Sequence, residues 1–213
     1  RMRALRQTEY GGPEVLAVAE VPRPRVDAGR VLVRVRAAAL DRGTMHLVSG
    51  TPYLVRLVEG VRRPRHQIAG LDVAGVVEVV GEGVTGLAPG DEVFGTARGA
   101  LAELVVADPA KLAPKPAALT FAEAAAVPVS GQTALAALSD EADVQPGQRV
   151  LVLGASGGVG SFAVQLAKLL GAHVTGVCSA GKADLVRDLG ADVVLDYATT
   201  DPTDGAERYD VVV

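Results

Sequence analysis

The spacing of apolar and polar residues changes once along the chain. Residues 31–36 and 75–80 alternate between apolar side chains and polar ones or glycine, as β-strands with one buried face do. Turn residues such as Pro89 and Gly90 stand close to these runs, and no long helical pattern interrupts the first 120 residues. This half of the chain is therefore predicted to form a compact antiparallel barrel of short strands.

A proline-rich connector at residues 108–116 is followed by helical spacing. Thr120 and Glu123 have the spacing of a capping box at the start of an alanine-rich helix, and residues 130–139 fit a second helix. Strands are then predicted at 150–153, 173–178, 192–196 and 209–213, and helices at 158–170 and 181–189. This alternation predicts a parallel, doubly wound sheet, with its fourth strand beside its first.

The most informative element is the turn after the first of these strands. The apolar run 150–153 ends in the string GASGGVG, and Val159, Phe162, Ala163 and Leu166 follow at helical spacing. A helix that begins there presents bare N–H groups and the positive end of its dipole to an anion, while glycine lets a pyrophosphate approach the backbone. The alternative is a glycine turn that serves only strand-to-helix packing. The strand that follows the helix favours dinucleotide binding. The candidate contacts are Gly154, Ala155, Ser156, Gly157, Gly158, Val159 and Gly160.

Composition narrows the classes of protein to consider. The 213 residues are 49% apolar and carry a formal net charge of −4, so a soluble, mildly acidic protein is expected and a nucleic-acid partner is not. No apolar run reaches the length of a membrane span, and no signal-peptide pattern is present, so no membrane partner and a cytoplasmic location are expected. The single cysteine, Cys178, excludes an internal disulfide.

One basic cluster interrupts this acidic chain. Arg56, Arg62, Arg63 and Arg65 are interspersed with Glu59, and we expect them on a solvated loop. That loop, residues 49–68, is expected to border a substrate pocket.

Several strings in a fixed order resemble the medium-chain dehydrogenase/reductase superfamily. GLDVAG at 70–75, PGDEVFG at 89–95 and GALAELVV at 99–106 look like strings of its GroES-like domain. The GASGGVG loop is similar to that of its zinc-free quinone oxidoreductase-like branch, which includes NADP-dependent alcohol dehydrogenase-like proteins. The resemblance covers essentially the whole chain.

The resemblance implies an α/β protein with two domains. A GroES-like β-barrel domain is expected over residues 1–121 and a Rossmann domain with a doubly wound parallel sheet over residues 122–213. Only the first four of the six strands of that sheet are recognised, so we expect the chain to be a fragment or a truncated form of a longer protein.

The resemblance also implies where catalytic zinc ligands would stand. The matching positions are Asp41, Leu71 and roughly Val129, and leucine and valine cannot bind zinc. The four-cysteine structural lobe of zinc-dependent members is also missing. The chain is therefore expected to bind no metal.

Candidate catalytic residues come from the same resemblance. His46 stands where relatives have a residue facing the pocket, and it is expected to donate a hydrogen bond to a carbonyl or to supply the final proton; the alternative is a surface or supporting histidine. Asp41 stands where asparagine is common, and Thr44 where aspartate is usual. Thr133 matches a position near the nicotinamide half of the cofactor, with capping of the first turn of its helix as the alternative.

The end of the second parallel strand indicates the choice of cofactor. NAD enzymes usually carry an acidic residue there, but this chain has Cys178 and no acidic residue until Asp184. Ser179 and Lys182 are expected to contact a 2′-phosphate, although a lysine at a helix start is often only solvated. Tyr197 matches a position near the adenine ribose phosphate of relatives. NADP is therefore the predicted cofactor.

Together these observations predict an NADPH-dependent reductase that transfers a hydride to a quinone, an enone, or an aldehyde or ketone without zinc. The alternatives are a non-catalytic NADPH-binding or interaction module and an inactive fragment of such a reductase. The expected partners are a small-molecule substrate and, at full length, a second copy of the chain in a homodimer.

Overall fold

The computed structural model describes residues 1–202 and 207–213. The chain divides into two compact units, residues 1–129 and 130–213. This division lies later than the boundary expected after residue 121. The helix that begins at Phe121 packs its buried Ala124 and Ala125 against Ala74 of the first unit, and so it belongs to that unit.

The first unit is built on antiparallel strands. They are β1 (Met2–Arg6), β2 (Ala17–Val21), β3 (Val31–Ala39), β4 (Asp72–Val80), β5 (Glu92–Thr96), β6 (Leu104–Ala107) and β7 (Leu112–Pro114). Strands β1 and β2 form a two-stranded ribbon, and the others form a five-stranded sheet in the order β6-β3-β4-β5-β7. The predicted all-β half is confirmed.

Both faces of β3, an interior strand of the five-stranded sheet, are covered. Val31 and Val33 belong to a valine-rich core on one face, whereas Leu32 packs with Met2 and Leu104 on the other. This double burial explains why the first three residues of β3 are all apolar, with alternation only after them.

Short helices connect these strands. They are α1 (Arg42–Ser49), α2 (Val55–Glu59) and α3 (Phe121–Ala125). The capping box predicted for α3 is present: the Glu123 N–H donates to Thr120 Oγ1 at 3.2 Å, and the Thr120 N–H donates to Glu123 Oε2 at 2.8 Å. Helices α1 and α2 were not predicted, because neither is long enough to repeat an apolar stripe over several turns.

The segment that contains α2 is only partly the solvated loop we expected. Arg62, Arg63 and Arg65 are exposed as predicted. Glu59, however, is buried and pairs with Arg98. The guanidinium of Arg56 lies over the rings of Tyr10 and Tyr53, at 4.6 Å and 4.9 Å from their centroids. The contacts with Tyr10 and Arg98, which lie far away in the sequence, bury part of this segment.

The second unit alternates strands and helices around a parallel sheet. Helix α4 (Pro128–Leu135) spans the division between the units and continues as a π-helical turn, Ala136–Glu141. After it come β8 (Arg149–Leu153), α5 (Gly158–Leu169), β9 (His173–Cys178), α6 (Ala183–Asp188), β10 (Val193–Asp196) and β11 (Val211–Val212). The sheet order is β10-β9-β8-β11, and Val211 pairs with Val150. The prediction that the fourth strand lies beside the first is confirmed.

Helices pack onto this sheet through small and β-branched side chains. Val150, Val152 and Val174 of the strands are fully or almost fully buried, as are Ala163 and Val164 of α5. Strands covered by helices need apolar residues at successive positions rather than an alternating pattern. The apolar run before the glycine turn therefore places that turn at the end of a strand whose middle residues, Val150, Leu151 and Val152, are buried.

Candidate functional site

The glycine turn joins β8 directly to α5. Gly154 has a φ of 69°, in the left-handed region that favours glycine, and its carbonyl accepts the Gly157 N–H at 2.8 Å. Gly157 precedes the helix, and no side chain caps the first turn of α5. The N–H groups of that turn have no partner within the helix, which leaves them available to an anion.

Small side chains are required in this turn because the backbone folds closely on itself. A Cβ on Gly160 would overlap the Gly154 carbonyl oxygen, and one on Gly157 would lie 3.2 Å from the same atom. Ala155 is fully buried, and its N–H donates to the Val177 carbonyl at 2.9 Å, which anchors the turn to β9. Ser156 and Val159 are half-buried. The turn is therefore compact, and a residue bulkier than glycine at position 160 would not fit against the Gly154 backbone.

The predicted cofactor contacts gather at one edge of the sheet. Strands β8, β9 and β10 are parallel and adjacent, and Gly154, Ser179 and Tyr197 follow their carboxyl ends directly. In doubly wound sheets this is the edge where ligands bind. The Lys182 N–H donates to the Ser179 carbonyl at 2.9 Å, and the Lys182 side chain is exposed just before α6.

The structure corrects one premise about cofactor choice. The last residues of β9 and β10, Cys178 and Asp196, are partners in the parallel register, so an acidic residue does lie near Cys178. Burial, and secondly the Asp196 charge, raise the pKa of the Cys178 thiol. The Asp196 Oδ1 accepts the Ala198 N–H at 3.0 Å, which engages the carboxylate in the turn after β10. The sequence did not reveal this neighbour, because Asp196 comes close to Cys178 only through the pairing of β9 with β10.

Thr133 lies well inside α4 rather than in its first turn, so the alternative that it only caps the helix is wrong. Its side chain is exposed. The same helix reaches the start of α5, because a Cβ on Gly158 would lie 2.9 Å from Ser130 Oγ.

In the first unit, helix α1 carries both candidate catalytic residues. Asp41 caps this helix, since its Oδ1 accepts the Thr44 N–H at 2.7 Å. His46 is exposed in the last turn, with Nδ1 2.7 Å from the Thr51 carbonyl oxygen. A carbonyl only accepts, so Nδ1 carries the proton and Nε2 is the nitrogen left to face a substrate. No hydrogen bond joins Asp41 and His46 among the described residues.

Asp72 was not singled out from the sequence, although an acidic residue at the head of the apolar run 73–77 was a signal. It is 1% exposed, and its Oδ1 accepts the Val129 N–H at 2.9 Å. Burial raises the pKa of this carboxyl to about 6, the Val129 N–H opposes that shift, and the charge of Asp41 adds to it. Asp72 therefore fastens Val129, in the first turn of α4, to strand β4.

The positions that match zinc ligands do not form a ligand set. Leu71 and Val129 line one open groove of about 480 Å³, and the Asp41 carboxylate caps α1. Within residues 1–202 and 207–213, no three His, Cys, Asp or Glu residues lie close enough together to hold a metal ion.

Across residues 1–202 and 207–213, no helix is both long and apolar enough to traverse a bilayer.

Two family models match the chain. Residues 27–117 match the family described as alcohol dehydrogenase GroES-like domain. Residues 158–210 match the family described as zinc-binding dehydrogenase.

Among curated proteins, the chain is 38% identical to a 2-methylene-furan-3-one reductase from Solanum lycopersicum, over 99% of the chain and 56% of that protein. It is also 38% identical to a chloroplast envelope quinone oxidoreductase homolog from Arabidopsis thaliana, over 100% of the chain and 67% of that protein. The chain thus spans between about half and two thirds of the length of these two relatives.

Solved structures show the same relationship. A quinone oxidoreductase from Coxiella burnetii superposes with a TM-score of 0.85 at 31% identity, over 94% of this chain and 63% of that one. A mycobacterial protein complexed with NADPH superposes with a TM-score of 0.82 at 35% identity, over 94% of this chain and 59% of that one.

Proposed function

Because the chain belongs to the medium-chain dehydrogenase/reductase superfamily, we propose that it forms part of an NADPH-dependent oxidoreductase. The proposed reaction reduces a quinone, an enone, or an aldehyde or ketone without zinc. The observation that carries the proposal is the uncapped glycine turn of α5, at the same sheet edge as Ser179 and Lys182. The relatives named as quinone oxidoreductases and as a furanone reductase support the substrate class.

The residues at this edge fit the parts of a nicotinamide dinucleotide. The first-turn amides of α5 would bind its pyrophosphate, and Gly160 lets the turn pack closely against the start of that helix. Ser179 and Lys182 would contact the 2′-phosphate, with Tyr197 beside the adenine ribose. Thr133 would lie toward the nicotinamide half. Such a cofactor, when bound, supplies the hydride.

We assign His46 to the proton that completes the reduction. Its Nδ1–H is held by the Thr51 carbonyl, so a protonated imidazole would present Nε2–H to the developing oxyanion of a carbonyl substrate. Asp41 supports this role by capping α1 rather than by touching the substrate. Orientation in a dry pocket supplies the remainder of the rate enhancement in hydride transfer.

The zinc-free character of the reaction rests on the residue types at the ligand positions. Leucine at 71 and valine at 129 offer no donor atoms, and the Asp41 carboxylate already accepts a backbone N–H. Elemental analysis of the purified protein, after dialysis against a chelator-free buffer, is expected to find far less than one zinc per chain. About one tightly held zinc per chain would contradict this part of the proposal.

A turnover assay tests the proposal as a whole. NADPH is mixed with the protein and with quinones, enones or aldehydes in turn, and loss of NADPH absorbance is followed. At least one of these acceptor classes is expected to drive oxidation of NADPH, and His46→Gln is expected to lower kcat more than it changes the Kd for NADPH. Binding of NADPH without oxidation by any acceptor would instead support the two alternatives, a non-catalytic NADPH-binding module or an inactive fragment of a reductase.

A further inference from the structure

Two buried side-chain atoms that lie close to the start of α1 and the end of β1 have neither a hydrogen-bond partner nor an ion-pair partner, unlike Glu78 Oε2, which pairs with Arg34. They are Gln7 Oε1, directly after β1, and Thr44 Oγ1, on α1. Gln7 is 3% exposed and Thr44 is 1% exposed. Because leaving a buried polar atom unpaired is costly, such atoms in folded proteins usually bind an ordered water or another ligand.

Both side chains line the same small cavity. Its volume is about 20 Å³, and Glu59 and Arg98 also contribute to its wall. A cavity of roughly 10–15 Å³ or more on this measure holds one water molecule, provided that two to four polar groups surround it. The volume is far below the several hundred cubic ångströms that ligand pockets of organic molecules occupy.

The polar groups around the cavity match the hydrogen bonds of a water. Gln7 Oε1 can accept hydrogen bonds but cannot donate them. The same holds for the carboxylate of Glu59, whose Oε1 pairs with Arg98. The Thr44 hydroxyl can donate. A water donates twice and accepts, which serves these three groups together. An anion would face the two acceptors, while a cation would lie beside the Arg98 guanidinium.

We propose that this cavity is a hydration site which holds one ordered water. The water donates to Gln7 Oε1 and accepts from Thr44 Oγ1, and it thereby ties helix α1 to the end of β1. Thr44 lies between Asp41 and His46 on α1, so this bridge supports the helix that carries both residues. The site needs no cofactor and no substrate, so its test does not depend on the proposed reaction.

A crystal structure of the 213-residue chain, at a resolution that shows individual waters, tests the proposal directly. One peak is expected in the cavity, about 2.7–3.2 Å from both Gln7 Oε1 and Thr44 Oγ1. An empty cavity overturns the proposal. So does a direct hydrogen bond between the two side chains, or a peak that behaves as a metal ion in anomalous diffraction.

A double-mutant cycle tests the same bridge in solution. Thr44→Val removes the hydroxyl at nearly constant volume, and Gln7→Leu removes the acceptor. Because both act on one water, their effects on the unfolding equilibrium constant are expected to depart from additivity by roughly tenfold. The matched control is Thr175→Val, at a buried threonine outside this cavity, whose effect is expected to add to that of Gln7→Leu. Additive effects of Thr44→Val and Gln7→Leu overturn the proposal.

Hydrogen exchange of the α1 amides distinguishes loss of the Thr44 hydroxyl from loss of side-chain volume. Thr44→Ser keeps the hydroxyl, and it is expected to preserve the protection of the α1 amides. Thr44→Val is expected to accelerate their exchange several-fold. Acceleration in Thr44→Ser but not in Thr44→Val would overturn the proposal, because it would show that the methyl group, not the water, holds α1.

Discussion

Solvent reaches the ionisable side chains of this protein very unequally. His46 and Lys182 are exposed, whereas Asp72 and Cys178 are 1% and 2% exposed. The exposed pair can meet a ligand and exchange protons with water. The buried pair serves the fold, and burial is the largest cause of the raised pKa of both.

At Lys182 this exposure limits how much one charge contributes. We expect Lys182→Ala to weaken NADPH binding roughly tenfold, because a charge-assisted contact to the 2′-phosphate is lost but solvent screens it. NADH binding is expected to change little. Titrating both cofactors by fluorescence measures the two affinities.

The control for this variant is Arg187→Ala, which removes a positive charge from α6 where it pairs with the neighbouring Asp184. It is expected to leave both affinities unchanged. Equal losses of NADPH and NADH affinity in Lys182→Ala would show that the lysine is structural.

Asp72 links the stability of the protein to pH. Its folded pKa of about 6 lies above the ordinary value of 3.8, so the folded state binds more protons between these values. The free energy of unfolding contributed by this group therefore falls as pH rises from about 4 to about 6, by up to ~3 kcal/mol. Asp72→Asn keeps an acceptor for the Val129 N–H without the charge.

Urea unfolding of both proteins at pH 4 and pH 7 checks this linkage. The variant is expected to gain stability relative to the parent at pH 7 and to lose that gain at pH 4. A difference between the two proteins that is the same at both pH values would remove Asp72 as the cause.

At the scale of elements, the turn between β8 and α5 depends on Gly160. In Gly160→Ala the added Cβ overlaps the Gly154 carbonyl oxygen, so backbone must move. We expect a loss of about 1–3 kcal/mol in the free energy of unfolding. Gly181→Ala is the matched control, since its Cβ meets nothing within 4 Å. Urea unfolding of the two variants should separate them, and equal stabilities would contradict the close approach seen at this turn.

The elements that the sequence predicted are those whose signal is local. The run 150–153, the glycine string and the Thr120–Glu123 box each lie within a few residues, and each has the predicted structure. Helix α1 is only eight residues long, and its limits come from the Asp41 cap and from Gly50 at a φ of 63°. Such a helix is set by its ends rather than by a repeated apolar stripe.

Contacts between distant residues were the features that the sequence did not reveal. Cys178 meets Asp196 through strand register, Asp72 meets Val129 across the fold, and Glu59 meets Arg98. Each of these contacts needs the sheet to be assembled first. The structure places the candidate residues His46 and Lys182 at exposed positions and Ser179 at a half-buried one.

Across the whole molecule, the two units have separate cores and separate tasks in the proposed reaction. The first has a valine-rich core and carries His46, while the second has its own core and carries the glycine turn. The turnover assay therefore uses the chain that contains both units.

The sheet of the second unit leaves one apolar strand at its edge. In the part of the chain that the structure describes, β11 pairs only with β8, and Val212 is 58% exposed. An unprotected edge strand offers its backbone groups to a second chain, so we expect the 213-residue chain to associate at high concentration. Val212→Lys is expected to raise the apparent dissociation constant at least tenfold, because a charge on an edge strand opposes its pairing with a second chain.

The control Leu169→Lys makes a matching change, from an apolar residue to lysine, at an 83% exposed position outside the sheet, and it is expected to have no such effect. Sedimentation velocity over a concentration series measures the association, and equal weakening by the two variants would assign it to general apolar exposure rather than to the strand edge.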